Sequence, residues 1–192
     1  VYSIYSCQRP PVGLKFGQDW PKRLRTVFPQ GGPDSTMTAE QFLSYFSRER
    51  FIPDLRARSK DGVLTELSRV LAEDGDIRDP GLLIEMIRRR ESLGSTGVGK
   101  GVAFPHGRST AAMQTKVVFA RSTRGIDFDA MDGEPCQLFF LIVAPYEDQR
   151  QEYLPLLGKI VETVANDATR EKLIGAETFE EFQSAVREVF GE

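Results

Sequence analysis

The chain has 192 residues, of which 40% are hydrophobic and 28% charged, with a formal net charge of -3. Those values suit a soluble globular protein of one ordinary domain plus an appendage, and they exclude a general nucleic-acid binder, which needs a basic face to meet phosphates. The longest apolar run, LFFLIVA from Leu138 to Ala144, is far below the roughly 20 residues that cross a bilayer, so neither nucleic acid nor membrane is an expected partner.

Residues 1–36 carry five of the 11 prolines and the only Trp, Trp20, without a sustained helical or alternating period. They read as a tail or linker. No basic start followed by an apolar stretch and a cleavage site is visible, so no secretory signal is expected, and Met37 could be the natural start of translation. The folded domain is expected over 37–192. It opens with MTAEQFLSYF, where Thr38 and Gln41 form a capping box and Phe42, Tyr45 and Phe46 share one face.

After an extended piece around Phe51 to Leu55, SKDGVLTELSRVLAEDG places Val63, Leu64, Leu67, Val70 and Leu71 at helical spacing, with Ser59 as N-cap. A second helix follows in DPGLLIEMIRRRESLG: Asp79 caps it, Pro80 takes the first helical position, Leu83, Met86 and Ile87 face inward, and Gly94 ends it. GVAF, KVVFAR and QLFFLIVA read as strands, the last apolar on both faces and so central in a covered sheet, with turns between Gly125 and Pro135. Two helices close the chain, YLPLLGKIVETVA and TFEEFQSAVREVF, the latter with a Thr178/Glu181 capping box. This order predicts an α/β fold, a mixed β-sheet flanked by helices on both faces in a single domain with an irregular N-terminal tail.

The stretch GSTGVGKG, Gly94 to Gly101, matches the nucleotide-binding pattern G-x-x-x-x-G-K-[ST] at every position but the last, where Gly101 replaces the Mg²⁺-ligating hydroxyl. The context fails as well, since that loop must leave a strand and enter a helix, and this one leaves a helix and runs to Pro105. With His106 the only histidine and Cys7 and Cys136 far apart, there are too few ligands for a zinc site and no Cys/His nucleophile pair. No metal or cofactor is expected, and two cysteines point to a reducing cytoplasm rather than a disulfide framework.

A different reading makes the glycines a flexible turn whose N–H groups form a concave anion nest, with His106 at its rim as a nucleophile. A hydrogen bond at one ring nitrogen would aim the lone pair of the other outward. Pro105 stiffens the approach, and Gly107 lets another protein come close. A histidine that takes and releases a phosphoryl group needs cations and N–H donors around three oxygens; Arg90, Arg108, Ser95 and Thr96 are the nearby candidates.

The stretch RRESLGSTGVGKGVAFPHGR, Arg89 to Arg108, resembles the signature of type-2 EIIA domains of the phosphoenolpyruvate-dependent phosphotransferase system (PTS), the fructose/mannitol and nitrogen-regulatory group. The later IDFDAMDGEPCQLFFLIVAP is similar to the family's second half. The resemblance implies that His106 accepts phosphate from a small HPr-like histidine phosphocarrier protein. It also implies that Arg90, in the pair Arg90-Glu91, helps to stabilise the phosphoryl group. Ser95, Thr96, Gly107 and Arg108 are the residues expected to bind phosphate beside them. Members often carry a second histidine where this chain has Tyr153, a possible site neighbour, and Lys100 replaces the commoner asparagine between two glycines. A stand-alone cytoplasmic phosphocarrier of the nitrogen-regulatory branch is the expected role. The alternatives are an EIIA passing phosphate to an EIIB domain of a separate sugar permease, or an EIIA-shaped module that binds a regulatory target protein without transfer. Each residue also has a structural role open to it: Arg90 as a helix-end cation, Ser95 and Thr96 as turn hydrogen-bonders, Arg108 as a solvated charge.

Overall fold

The computed structural model describes residues 37–73, 75–148 and 151–191. The expected tail, 1–36, lies outside them. Among the described residues, six helices and six strands run in the order α1 (Ala39–Leu43), β1 (Phe51–Ile52), α2 (Lys60–Glu73), α3 (Pro80–Ser92), β2 (Gly97–Gly99), β3 (Val102–Ala103), β4 (His106–Ser109), β5 (Lys116–Ile126), β6 (Cys136–Pro145), α4 (Tyr153–Ala165), α5 (Asp167–Gly175) and α6 (Phe179–Val189).

The strands form one mixed sheet in the order β1-β5-β6-β3-β2, with β4 also paired to β6. β6 is central, antiparallel to β5 on one edge and parallel to β3 and then β4 on the other. β3 and β4 are two pieces of one interrupted strand: Ala103 lies opposite Phe139 and His106 opposite Ile142, so the register carries through the break. Pro105 sits in that gap. It has no N–H to give a ladder, although its carbonyl still accepts the N–H of Ile142 at 2.9 Å.

Both faces of β6 are apolar because each is covered. Leu138, Phe140, Ile142 and Ala144 point into a core with α1, α4, α5 and α6, where Phe42, Phe46, Phe119 and Phe182 pack. Phe139, Leu141 and Val143 point the other way, against α2 and α3 through Val63, Leu67, Leu71, Leu83 and Ile87. The side chains alternate strictly, so each face has its own core. No helix among the described residues is long and apolar enough to cross a membrane.

Local signals place most helix ends. Thr38 with Gln41 and Thr178 with Glu181 make the two expected capping boxes, Asp79 accepts the N–H of Leu82 at 3.0 Å, and Ser59 accepts that of Gly62 at 3.3 Å. Four elements differ from expectation. β3 falls in the expected strand GVAF, but β2 lies among the glycines expected to form a flexible turn, β4 follows Pro105 where no strand is expected, α5 separates the two closing helices, and β5 extends to Ile126, into the region expected to turn. α5 has little amphipathic pattern to reveal it. Asn166 caps it by accepting the N–H of Thr169, and Arg170 closes the corner on the carbonyl of Val164 at 2.7 Å.

Candidate functional site

Strand alternation decides what β4 presents. Gly107 turns toward α3, where a β-carbon would lie 2.4 Å from Met86 Sδ and 3.6 Å from Ile87 Cδ1. It is buried, and the space its side chain would need belongs to Met86. Gly107 therefore serves close packing of strand on helix, which corrects the expectation that it leaves room for another protein. His106 and Arg108, one residue to either side, turn toward α4 and meet Tyr153. The His106 and Tyr153 rings lie 6.3 Å apart between centroids, and the Arg108 guanidinium stands 5.1 Å over the Tyr153 ring. Tyr153 is held there by the start of α4, where Asp148 accepts the N–H groups of Glu152 at 3.2 Å and Tyr153 at 3.0 Å.

The imidazole orientation follows from one short contact, His106 Nδ1 to the carbonyl of Phe104 at 2.6 Å. A carbonyl can only accept, so Nδ1 carries the proton and the lone pair is on Nε2. His106 is partly buried, and burial followed by the positive charge of Arg90 pushes its pKa down to about 4, against the opposing pull of the Phe104 carbonyl and of Glu91. At neutral pH the ring is uncharged and Nε2 is a nucleophile. Burial pushes the Tyr153 phenol above its usual range, with Arg108 and Arg90 pulling the other way, so it keeps its proton. It can donate a hydrogen bond and does not titrate near neutrality.

Arg90 comes from the last turn of α3, where its Nη1 donates to the carbonyl of Gly94 at 3.0 Å. It is not paired with a carboxylate among the described residues, nor is Arg108. Two cations without acidic partners among the described residues thus stand near the imidazole–phenol pair, Arg90 acting on both rings and Arg108 on the phenol, an arrangement suited to a phosphoryl dianion.

Ser95 and Thr96 are engaged elsewhere. The Ser95 hydroxyl donates to the carbonyl of Phe128 at 2.7 Å and accepts the N–H of Gly97 at 3.0 Å. Thr96 is buried, and its hydroxyl and N–H both donate to Glu91, at 2.6 and 2.9 Å. The structure brings His106, Arg90, Arg108 and Tyr153 together, while these two hydroxyls tie the hairpin to its supports.

The expected anion nest is not beside His106. The Gly99-Lys100-Gly101 turn is the tip of the β2–β3 hairpin, with φ of 94°, 53° and 75°, and the Lys100 N–H is taken by Asp132 at 2.7 Å. Gly101 accepts the N–H groups of Gln137 and Leu138 at the start of β6, whereas His106 lies opposite Ile142. At ~3.3 Å per residue that separates tip and imidazole by roughly 13 Å along the strand. Lys100 pairs with Asp167 at 3.6 Å, which ties the tip to the start of α5.

Sequence reasoning named Glu91 only as the partner of Arg90 in a motif. The structure buries its carboxylate between Thr96 and Lys60, whose Nζ is at 2.7 Å. An acidic residue in the last turn of a helix, where the macrodipole opposes it, is the signal that could have marked it.

The family described as phosphoenolpyruvate-dependent sugar phosphotransferase system, EIIA 2, matches residues 44–189. A fructose-specific EIIA component from Haloferax volcanii is 34% identical over 131 residues, 68% of this chain and 84% of its own. A nitrogen regulatory protein from Bradyrhizobium diazoefficiens is 37% identical over 125 residues, 65% of this chain and 80% of its own. The crystal structure of nitrogen regulatory protein IIA-Ntr from Neisseria meningitidis superposes with a TM-score of 0.69 at 30% identity, covering 74% of this chain and 97% of that one.

Proposed function

The chain belongs to the type-2 EIIA family of the phosphoenolpyruvate-dependent phosphotransferase system, and from that premise we propose that it is a cytoplasmic phosphocarrier of a nitrogen-regulatory relay, loaded on His106 by an HPr-like protein. The observation that carries the reading is the imidazole itself: Nδ1 is held by the Phe104 carbonyl, so a neutral ring offers the Nε2 lone pair, with the charge of Arg90 acting on it and Arg108 over the neighbouring Tyr153 ring.

In the forward step Nε2 attacks the phosphorus of the donor's phosphohistidine, a P–N bond forms to His106, and the donor P–N bond breaks with its electron pair returning to the donor imidazole. Arg90, Arg108 and the Tyr153 hydroxyl supply donors to the three phosphoryl oxygens. Ser95, Thr96 and Gly107 support this set from behind, the first two through the hairpin and Gly107 through its packing on α3.

The similarity to a fructose-specific EIIA component favours one second reading, in which the same phosphohistidine passes its group to an EIIB domain. Incubation with phosphoenolpyruvate, enzyme I and an HPr-like carrier tests both. One acid-labile, alkali-stable phosphohistidine is expected, absent in His106→Ala, and Arg90→Lys should slow loading by about tenfold because the planar fork is lost. Label retained in His106→Ala, or no label on the wild type, would refute the phosphocarrier. Onward transfer to an EIIB domain would move the protein to the permease reading.

A further inference from the structure

The site contains a buried anion that the transfer step does not use. Glu91 is 6% exposed and takes three donors: Lys60 Nζ at 2.7 Å and the Thr96 N–H at 2.9 Å on one oxygen, and the Thr96 hydroxyl at 2.6 Å on the other. Thr96 carries the line forward, since its carbonyl accepts the N–H of Phe104 at 3.0 Å. The carbonyl of Phe104 in turn accepts Nδ1–H of His106 at 2.6 Å. Four residues therefore connect a carboxylate at the end of α3 to the ring on β4.

That line has a cost and a place. A carboxylate in the last turn of α3 opposes the helix dipole, and taking it out of water is unfavourable unless it is paired and hydrogen-bonded. Lys60 reaches across from the first turn of α2 to pair it, and stands 5.0 Å over the Phe128 ring as it does so. Pro105 breaks the strand between Phe104 and His106, so nothing in the ladder itself holds the Phe104 carbonyl against the imidazole. The N–H and the carbonyl of Thr96 belong to different peptide groups, as do those of Phe104. The line therefore acts by placing atoms rather than by polarising a conjugated chain.

We propose that Glu91 is a positioning residue for His106: clamped by Lys60, it locks Thr96 and thereby the Phe104 carbonyl, which keeps the proton on Nδ1 and the lone pair on Nε2. The inference rests on the phosphocarrier reading for its purpose but not for its measurement. Because His106 is the only histidine, ¹⁵N NMR of the full-length labelled chain reports its tautomer without overlap and without any phosphoryl donor.

In the wild type the neutral ring should be the Nδ1–H form. Glu91→Gln should raise the Nε2–H population several-fold and slow loading from the phosphorylated HPr-like carrier by about tenfold, the scale on which residues behind a reacting group act. Thr96→Val, which keeps the N–H link and loses the hydroxyl, should slow it about threefold, and Thr96→Ser should recover most of that loss. Variants Glu91→Gln and Thr96→Val that melt at lower temperature yet keep the wild-type tautomer and rate would overturn the proposal and leave Glu91 a purely structural anchor. If Glu91→Gln does not fold, the Thr96→Val and Thr96→Ser pair decides by the same criteria. A wild type that takes no phosphate would sink the phosphocarrier reading while the tautomer still judged the line.

Discussion

The aromatic core under α6 and the loop from Glu91 to Arg108 hold their parts in opposite ways. In the core, Phe119 lies 4.6 Å from Phe182, 5.1 Å from Phe140 and 5.5 Å from Phe51, ring to ring, and Phe182 in turn lies 5.0 Å from Phe46. Each ring has several neighbours, so no single contact sets its place. Along the loop, each group depends on one partner: Thr96 on Glu91, Phe104 on Thr96, His106 on Phe104. Dispersion is summed over many weak contacts and tolerates the loss of one; a directional hydrogen bond is made or lost. The core sets whether the domain stands, and the loop sets whether the imidazole points.

The sharpest break of this comparison is Phe119→Ala. Removing a fully buried ring should cost about 3–5 kcal/mol in urea unfolding, while the folded fraction keeps the wild-type His106 tautomer. A tautomer that moved with the core would show the two regions to be one.

Gly107→Ala tests how the segment is seated on the opposite core, against α3. The added methyl group meets Met86 Sδ, and repacking should cost about 1–3 kcal/mol, with a smaller loss in the double variant Gly107→Ala/Met86→Ala. An additive pair would mean that β4 accommodates the methyl group by shifting away from α3.

A further effect is on the pH dependence of stability. His106 has a folded pKa near 4, below its unfolded value, so the unfolded chain binds the extra proton as pH falls through about 6.5 toward 4. Stability contributed by the neutral, buried ring is whole above that window and is lost within it. Replacing His106→Gln should flatten the slope of unfolding free energy between pH 6.5 and 4. An unchanged slope would show the imidazole to be solvated as in the unfolded chain.

Much of the scaffold was legible because its signals are local. Thr38, Asp79 and Thr178 announce helix starts within four residues of sequence, and LFFLIVA can be read as a central strand because both of its faces are apolar. The helix α5 escaped because it packs few residues and shows little period, its corner being fixed by Arg170 on carbonyls of α4. The site divides the same way. His106 stands out as the only histidine in a glycine and proline setting, but the sequence could not say that the glycines would pair as a hairpin whose tip lies away from the ring.

Sequence alone determined the type of fold and the helix caps and singled out His106, since these follow from residue chemistry and from spacing within one or two turns. Tertiary structure alone decided the partners. Lys60 reaches Glu91 across 31 positions, Tyr153 reaches His106 across 47, and Phe128 takes the Ser95 hydroxyl across 33. Such pairings depend on how β6 seats two strand fragments in register and which face each fragment then turns outward. A one-residue slip of β4 would have put Gly107 where His106 now stands, because side chains alternate across a strand.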